Sequence, residues 1–261
     1  MNLDLNGKKA LVCGSTQGIG KASAIELALL GADVTLLARN EEKLKQTIKE
    51  LPVKAGQSHE YLVADFSFPD QLKSVVDKFV SKNSIHILIN NTGGPPGGPA
   101  LTASLDEFSK AFSSHLLCGQ ILVQAVVPGM KEAKYGRIIN IISTSVKMPI
   151  RGLGVSNTIR AAVANWSKTL SLELGPFGIT VNNVLPGASM TGRLESIIND
   201  RAEKQKKTAD QVKQDMIAEI PAGRISSSEE VAAAVAFLAS PAAGYINGIN
   251  VPVDGGRTGS L

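Results

Sequence analysis

A short apolar run, Lys8-Lys9-Ala10-Leu11-Val12-Cys13, opens directly into Gly14-Ser15-Thr16-Gln17-Gly18-Ile19-Gly20 and then into the helical sequence Lys21 to Leu30. A buried strand, a glycine-rich turn and a helix in that order leave few folds open. Glycine has no Cβ, so the backbone turns tightly and lies close to a bulky anion while the free amides of the helix start point at it. The guest such a turn suits is a nucleotide pyrophosphate. The spacing is Gly-x-x-x-Gly-x-Gly rather than Gly-x-Gly-x-x-Gly, and the two motifs are not equivalent. Taken alone the cluster reads equally as a tight turn, so the rest of the chain has to decide.

Strand and helix patterns then alternate to the end. Val34 to Ala38, His59 to Ala64, Ile85 to Asn90, Arg137 to Ile142, Thr180 to Leu185 and Asn250 to Val253 are apolar runs that read as strands. Between them, Glu41 to Glu50, Pro69 to Val80, Ser156 to Leu174 and Ser228 to Ala239 carry helical spacing, and Leu105 to Lys131 holds one or two helices. Near-continuous Val/Ile/Leu strands separated by helices predict an α/β fold: a doubly wound parallel sheet of about seven strands, of the Rossmann type, with helices on both faces. In such sheets ligands lie at the carboxyl ends of the strands. Gly14, Arg39, Asp65, Asn91, Ser143 and Pro186 are therefore expected on one rim. No repeat or linker interrupts the pattern, so residues 1–261 read as one domain. The polar, helix-forming excursion 187–224 is the expected substrate lid.

The totals narrow the function. A chain of 261 residues that is 43% hydrophobic and 19% charged has the composition of an ordinary globular protein. A net charge of +4, with Glu203 and Asp210 inside its densest lysine stretch, gives no basic patch for nucleic acid. The first residues lack the basic start and apolar run of a signal peptide, and no segment has 18 uninterrupted apolar residues, so no membrane partner is expected. Cys13 and Cys118 read as buried thiols of a reducing cytoplasm, and no set of residues has metal-ligand spacing.

With the glycine turn, Asn90-Asn91-Thr92-Gly93, Gly136-Arg137-Ile138-Ile139-Asn140 leading to Ser143, Pro186-Gly187 followed by Thr191, and Val253-Asp254-Gly255-Gly256 all in order, the chain resembles the short-chain dehydrogenase/reductase family. It looks most like the 3-oxoacyl-acyl-carrier-protein reductase type. The resemblance implies a nicotinamide coenzyme, with Asp65 and Phe66 at its adenine, Asn91 and Gly93 at its ribose and Pro186, Gly187 and Thr191 at its nicotinamide end. Relatives that use NAD carry an acidic residue at the end of the second strand. Here Ala38 stands in that place and Arg39 follows; a guanidinium grips a 2′-phosphate that a carboxylate would repel, so NADP(H) is favoured over NAD(H). The resemblance also implies a homo-oligomer, a tetramer or dimer, and a small carbonyl, alcohol or acyl-thioester substrate.

The catalytic positions depart from the family pattern of a Tyr followed four positions later by a Lys. Ser143 fits the family's serine, but Ser156 stands where the Tyr is expected and Arg160 where the Lys is expected. His115 occupies the place of the Asn on the preceding helix. An aliphatic hydroxyl is a far weaker acid than a tyrosine hydroxyl of pKa ~10, so Ser156 is a poor proton donor. Two readings follow. In the first, an NADP(H)-dependent oxidoreductase transfers a hydride between nicotinamide and a ketone or secondary alcohol, with His115 supplying the proton and Arg160 anchoring the ribose. In the second, the chain binds NADP(H) but has lost turnover and acts as a sensor or partner.

Overall fold

Strands made of continuous Val, Ile and Leu have no polar face to show to water, and the chain covers both sides of a single sheet with helices. The computed structural model describes residues 1–54 and 56–260. Its strands are β1 (Lys9–Cys13), β2 (Asp33–Ala38), β3 (Glu60–Val63), β4 (Ile87–Asn90), β5 (Gly136–Ile141), β6 (Ile179–Pro186) and β7 (Asn250–Val253). They form one sheet in the order β3-β2-β1-β4-β5-β6-β7, with every pair parallel. The chain winds outward from β1 to β3, returns to place β4 on the other side of β1, and then winds outward again. The crevice between β1 and β4 is the switch point where such sheets take their ligands.

The helices are α1 (Gly18–Leu29), α2 (Glu41–Glu50), α3 (Pro69–Val80), α4 (Leu105–Phe112), α5 (Cys118–Glu132), α6 (Gly154–Leu174), α7 (Gly192–Gln205), α8 (Ala209–Ala218) and α9 (Ser228–Ala239). Side chains alternate across each strand, and the two resulting layers are both apolar. Ala10, Val12, Val34, Leu36, Ile87, Ile89 and Val184 pack with α1 and α9 on one face. Leu11, Cys13, Leu37, Leu88, Ile138 and Val181 pack with α3, α5 and α6 on the other. Cys13 and Cys118 are free thiols in this second layer, and burial pushes both up, Cys118 to about 11.

Among the described residues, Leu105–Glu132 is the one helical stretch long and apolar enough to meet the length and composition of a membrane span. It is not one uniform rod: α4 passes through a π-helical turn, Ser113–Leu117, into α5, where Cys118, Leu122, Val123, Val126 and Met130 are buried in the layer shared with α3. The excursion over 187–224 contains α7 and α8, which close a small core of their own from Leu194, Ile198, Val212, Met216 and Ile220.

The middle of the sheet contains a row of amides. Asn90 donates to Asn140 at 2.8 Å, Asn140 to Asn183 at 3.1 Å, and Asn183 to Asn250 at 2.8 Å. These residues are direct register partners on β4, β5, β6 and β7. Ser167 of α6 joins the row through Asn140 and Asn183 at 2.9 and 2.8 Å.

Candidate active site

A cavity of about 640 Å³ runs along the carboxyl ends of the strands. It collects Gly14, Arg39, Asp65, Asn91, Ser143 and Pro186 from the ends of six different strands, and Thr16, Gln17, Gly18, Ile19, Phe66, Gly93, Gly187 and Thr191 beside them. The side chain of Ser15 is fully buried behind the turn, where its hydroxyl donates to the Leu37 carbonyl at 3.4 Å. Gly20 is likewise buried and serves the packing: a Cβ there would stand 2.2 Å from the Gly14 carbonyl oxygen.

The glycine turn has the form an anion requires. Gly14 and Gly18 have φ of +57° and +54°, a region that side chains disfavour. A Cβ on Gly14 would meet the Asn91 carbonyl oxygen at 2.7 Å, and Asn91 in turn braces the turn by donating to the Cys13 and Gly14 carbonyls at 3.3 and 3.2 Å. Asn40, Ser104, Thr191, Thr208 and Ser227 cap their helices with their own side chains, whereas Gln17 leaves the first amides of α1 without a side-chain acceptor. Unsatisfied amides at a helix start carry a partial positive charge and suit a diphosphate. Arg39, exposed at the end of β2, makes no ion pair among the described residues. These residues fit a dinucleotide with a third phosphate beside Arg39.

At the other end of the cavity, Ser143, Ser156 and Arg160 line one wall. Ser143 follows β5, and its hydroxyl accepts from the Ser145 amide at 3.1 Å. Ser156 and Arg160 lie one turn apart on α6 and therefore share a face. Arg160 is buried, donates from Nη1 to the Ile141 carbonyl at 2.7 Å, and leaves Nε with no partner. Burial, with the Arg193 charge behind it, brings its guanidinium down to about 10, which keeps it cationic at neutral pH.

His115 does not do what its position in the sequence suggests. The π-helical turn puts Ser114 on the cavity wall and leaves His115 buried outside the lining. Burial first, and then the neighbouring Arg160 cation, push the imidazole down to about 2. At pH 7 the ring is a neutral imidazole that keeps a single N–H and hydrogen-bonds the Gly93 backbone, so the imidazolium expected as proton donor is not the form present. The tyrosines offer no replacement: Tyr61 and Tyr135 spend their hydroxyls on Glu41 and the Ala239 carbonyl, and Tyr245 is fully exposed.

Sequence reasoning missed Arg193. It lies two residues past Thr191 in the first turn of α7, lines the cavity and donates to the Pro95 carbonyl. The signal was a basic residue in the first turn of a helix, where the macrodipole disfavours it. Leu194, Ile197, Arg201 and Met216, from the same excursion 187–224, join it in lining the cavity.

The sheet order, the open glycine turn and a crevice at the switch point define the class, a Rossmann-type dinucleotide-binding fold. Residues 14–258 match the family model described as enoyl-(acyl carrier protein) reductase. The chain is 33% identical over 258 residues to 3-oxoacyl-acyl-carrier-protein reductase FabG of Vibrio cholerae, covering 97% of this chain and 98% of the relative. It is 29% identical over 259 residues to NADPH-dependent reductase BacG of Bacillus subtilis, covering 98% and 100%. Among solved structures, L-sorbose reductase from Gluconobacter frateurii, complexed with NADPH and L-sorbose, superposes with a TM-score of 0.93 at 29% identity over the whole of both chains. The chain belongs to the short-chain dehydrogenase/reductase family.

Proposed function

We propose that the chain is an NADP(H)-dependent oxidoreductase acting between a ketone and the corresponding secondary alcohol. The observation that carries the reading is one continuous cavity joining the open glycine turn and unpaired Arg39 at one end to Ser143, Ser156 and Arg160 at the other. NADP(H) binding in relatives such as BacG and L-sorbose reductase supports the same coenzyme here.

The coenzyme, when bound, supplies the hydride. The chain's own part begins with position: the glycine turn fixes the diphosphate, Thr191 and Pro186 bound the nicotinamide end, and a carbonyl is held against the hydroxyls of Ser143 and Ser156. Holding two reactants in line accounts for up to roughly 7–11 kcal/mol of a barrier. Arg160 places a fixed cation near the oxygen that gains charge, and in a dry site such preorganised charge is worth more than in water. With Ser156 too weak an acid and His115 neutral, the proton reaches the alkoxide from water. Losing a tuned general acid costs about 10²–10⁴ in rate, so turnover is slow compared with a tyrosine-bearing relative.

The test combines coenzyme titration with an assay over ketones. NADPH binds wild type more tightly than NADH, and Arg39→Gln removes roughly 10- to 100-fold of that preference, the worth of charge-assisted bonds to one phosphate. Ketone-dependent consumption of NADPH completes the reading. Tight binding without consumption by any ketone would instead support the coenzyme-binding protein without turnover. The same reading includes a cytoplasmic location, in keeping with two free buried thiols, and self-association through the helical stretches 105–131 and 156–174, where Leu117 of the π-helical turn and Leu172 of α6 are exposed. A single-chain mass by light scattering removes the self-association.

A further inference from the structure

Charge in the cavity is unevenly placed. Five arginines line it, Arg39, Arg160, Arg193, Arg201 and Arg257, against a single carboxylate, Asp65. Asp65 lies with Arg39 at the glycine-turn end, and Arg257 is paired with Glu219. Arg160, Arg193 and Arg201 are left at the inner end with no ion pair among the described residues.

Two of these converge on one point. A Cβ built on Gly94 would stand 3.5 Å from Arg193 Nε and 3.7 Å from Arg160 Nη2. Arg160 is 8% exposed, its Nη2 is the atom that approaches this space, and its buried Nε has no hydrogen-bond partner among the described residues, so the cation is only partly satisfied by the protein. The backbone carbonyls that hold the pair, Ile141 for Arg160 and Pro95 for Arg193, are neutral. Asp200 acts on Arg193 only from beyond ion-pair distance. Two like charges held together without a counter-ion are costly, and an anion between them removes the cost. The diphosphate and third phosphate of the coenzyme already have the glycine turn and Arg39, so this vacancy in the charge balance belongs to another ligand. Leu153, Ile150, Ile197 and Met216 add apolar surface to the lining of the same cavity.

We propose that Arg193 and Arg160 form the binding site for a carboxylate, and that the substrate is an oxo-acid: a carbonyl compound with a carboxylate head and an apolar body. The proposal deepens the oxidoreductase reading and rests on it. In the reduction, the carbonyl carbon takes a hydride from NADPH, the π pair moves to oxygen, and that oxygen takes a proton from water; the products are a hydroxy acid and NADP⁺. A neutral thioester would leave the two guanidinium groups uncompensated, which sets this site apart from one built for acyl carriers.

Dead-end binding tests the proposal without turnover. The NADP⁺-saturated protein is titrated by calorimetry with 4-methyl-2-oxopentanoate and with its methyl ester. The acid binds at least tenfold more tightly than the ester; Arg193→Gln removes that difference, Arg193→Lys keeps part of it, and NADP⁺ affinity stays unchanged in both, which also reports an intact fold. An ester that binds as well as the acid, an acid that does not bind, or an acid affinity unmoved in Arg193→Gln overturns it. The acid is also titrated into coenzyme-free protein. Arg193-dependent binding of acid by a protein that takes no NADP⁺ keeps the anion site and fails the oxidoreductase reading, so the two failures are told apart.

Discussion

Replacing Arg160 by methionine should make the coenzyme-free protein more stable while impairing its site. Methionine keeps the unbranched stem and fills similar space without a charge. Bringing a buried guanidinium from its ordinary value to about 10 corresponds to about 3 kcal/mol against the cationic form. Against that stands the bond to the Ile141 carbonyl, whose loss at a buried strand end costs about 1–2 kcal/mol. The difference favours Arg160→Met by about 1–2 kcal/mol, which for a chain of this size raises the melting temperature by roughly 2–4 °C. Scanning calorimetry measures it, first without ligand and then with saturating NADPH. Ligand at a hundred times its dissociation constant adds about 2.7 kcal/mol, and this increment should persist in the variant, since the glycine turn and Arg39 hold the coenzyme's phosphates. A folded Arg160→Met protein that melts below wild type would refute the argument, since it would mean that the guanidinium is already compensated in the free protein.

Three further changes probe the same rim. Restoring the family pattern with Ser156→Tyr together with Arg160→Lys should raise kcat for ketone reduction by about 10²-fold; unchanged turnover with intact NADPH binding would place residue 156 away from the reacting carbonyl. His115 titrates near 6.5 when unfolded and near 2 when folded, so the unfolded chain takes up the proton first as pH falls. Stability is therefore full above about pH 6.5 and declines below it by up to about 1.4 kcal/mol per pH unit. His86, also lowered by burial, adds to the same limb. His115→Asn should flatten that decline between pH 7 and 5 in urea titrations, and an unchanged slope would show that the imidazole is not held neutral. Gly14→Ala should reduce NADPH affinity at least tenfold and destabilise the fold by about 1–3 kcal/mol, through the Asn91 clash and a strained positive φ.

The strands and most helices were legible because buried parallel strands leave an unmistakable apolar run, and α2, α3 and α9 have the bounds their spacing indicates. The rim was legible as well, since topology alone brings the residue after each strand to one edge. Legibility failed where a side chain's surroundings decide its chemistry. Counting along the helix placed His115 opposite the site, but one π-helical turn gives the cavity wall to Ser114, and desolvation then removes the proton that made histidine attractive. Arg193 was invisible for a related reason: its meaning depends on Arg160, 33 positions earlier, which the fold brings beside it near Gly94. The apolar residues of 187–224 divide in a way no periodicity announces, with Ile198 in the small core between α7 and α8 and Ile197 lining the cavity.

The row formed by Asn90, Asn140, Asn183 and Asn250 makes half of the rim a ruled edge. Each amide fits only the one directly across from it, so sliding any of these strands by a single residue would strand an amide among isoleucines and valines. The loops that begin at Asn91, Ile142 and Gly187 thus leave the sheet from a common baseline. Those loops can lengthen, shorten or change composition while their points of departure stay fixed, so new chemistry can be tried on this edge without disturbing the ground on which it stands.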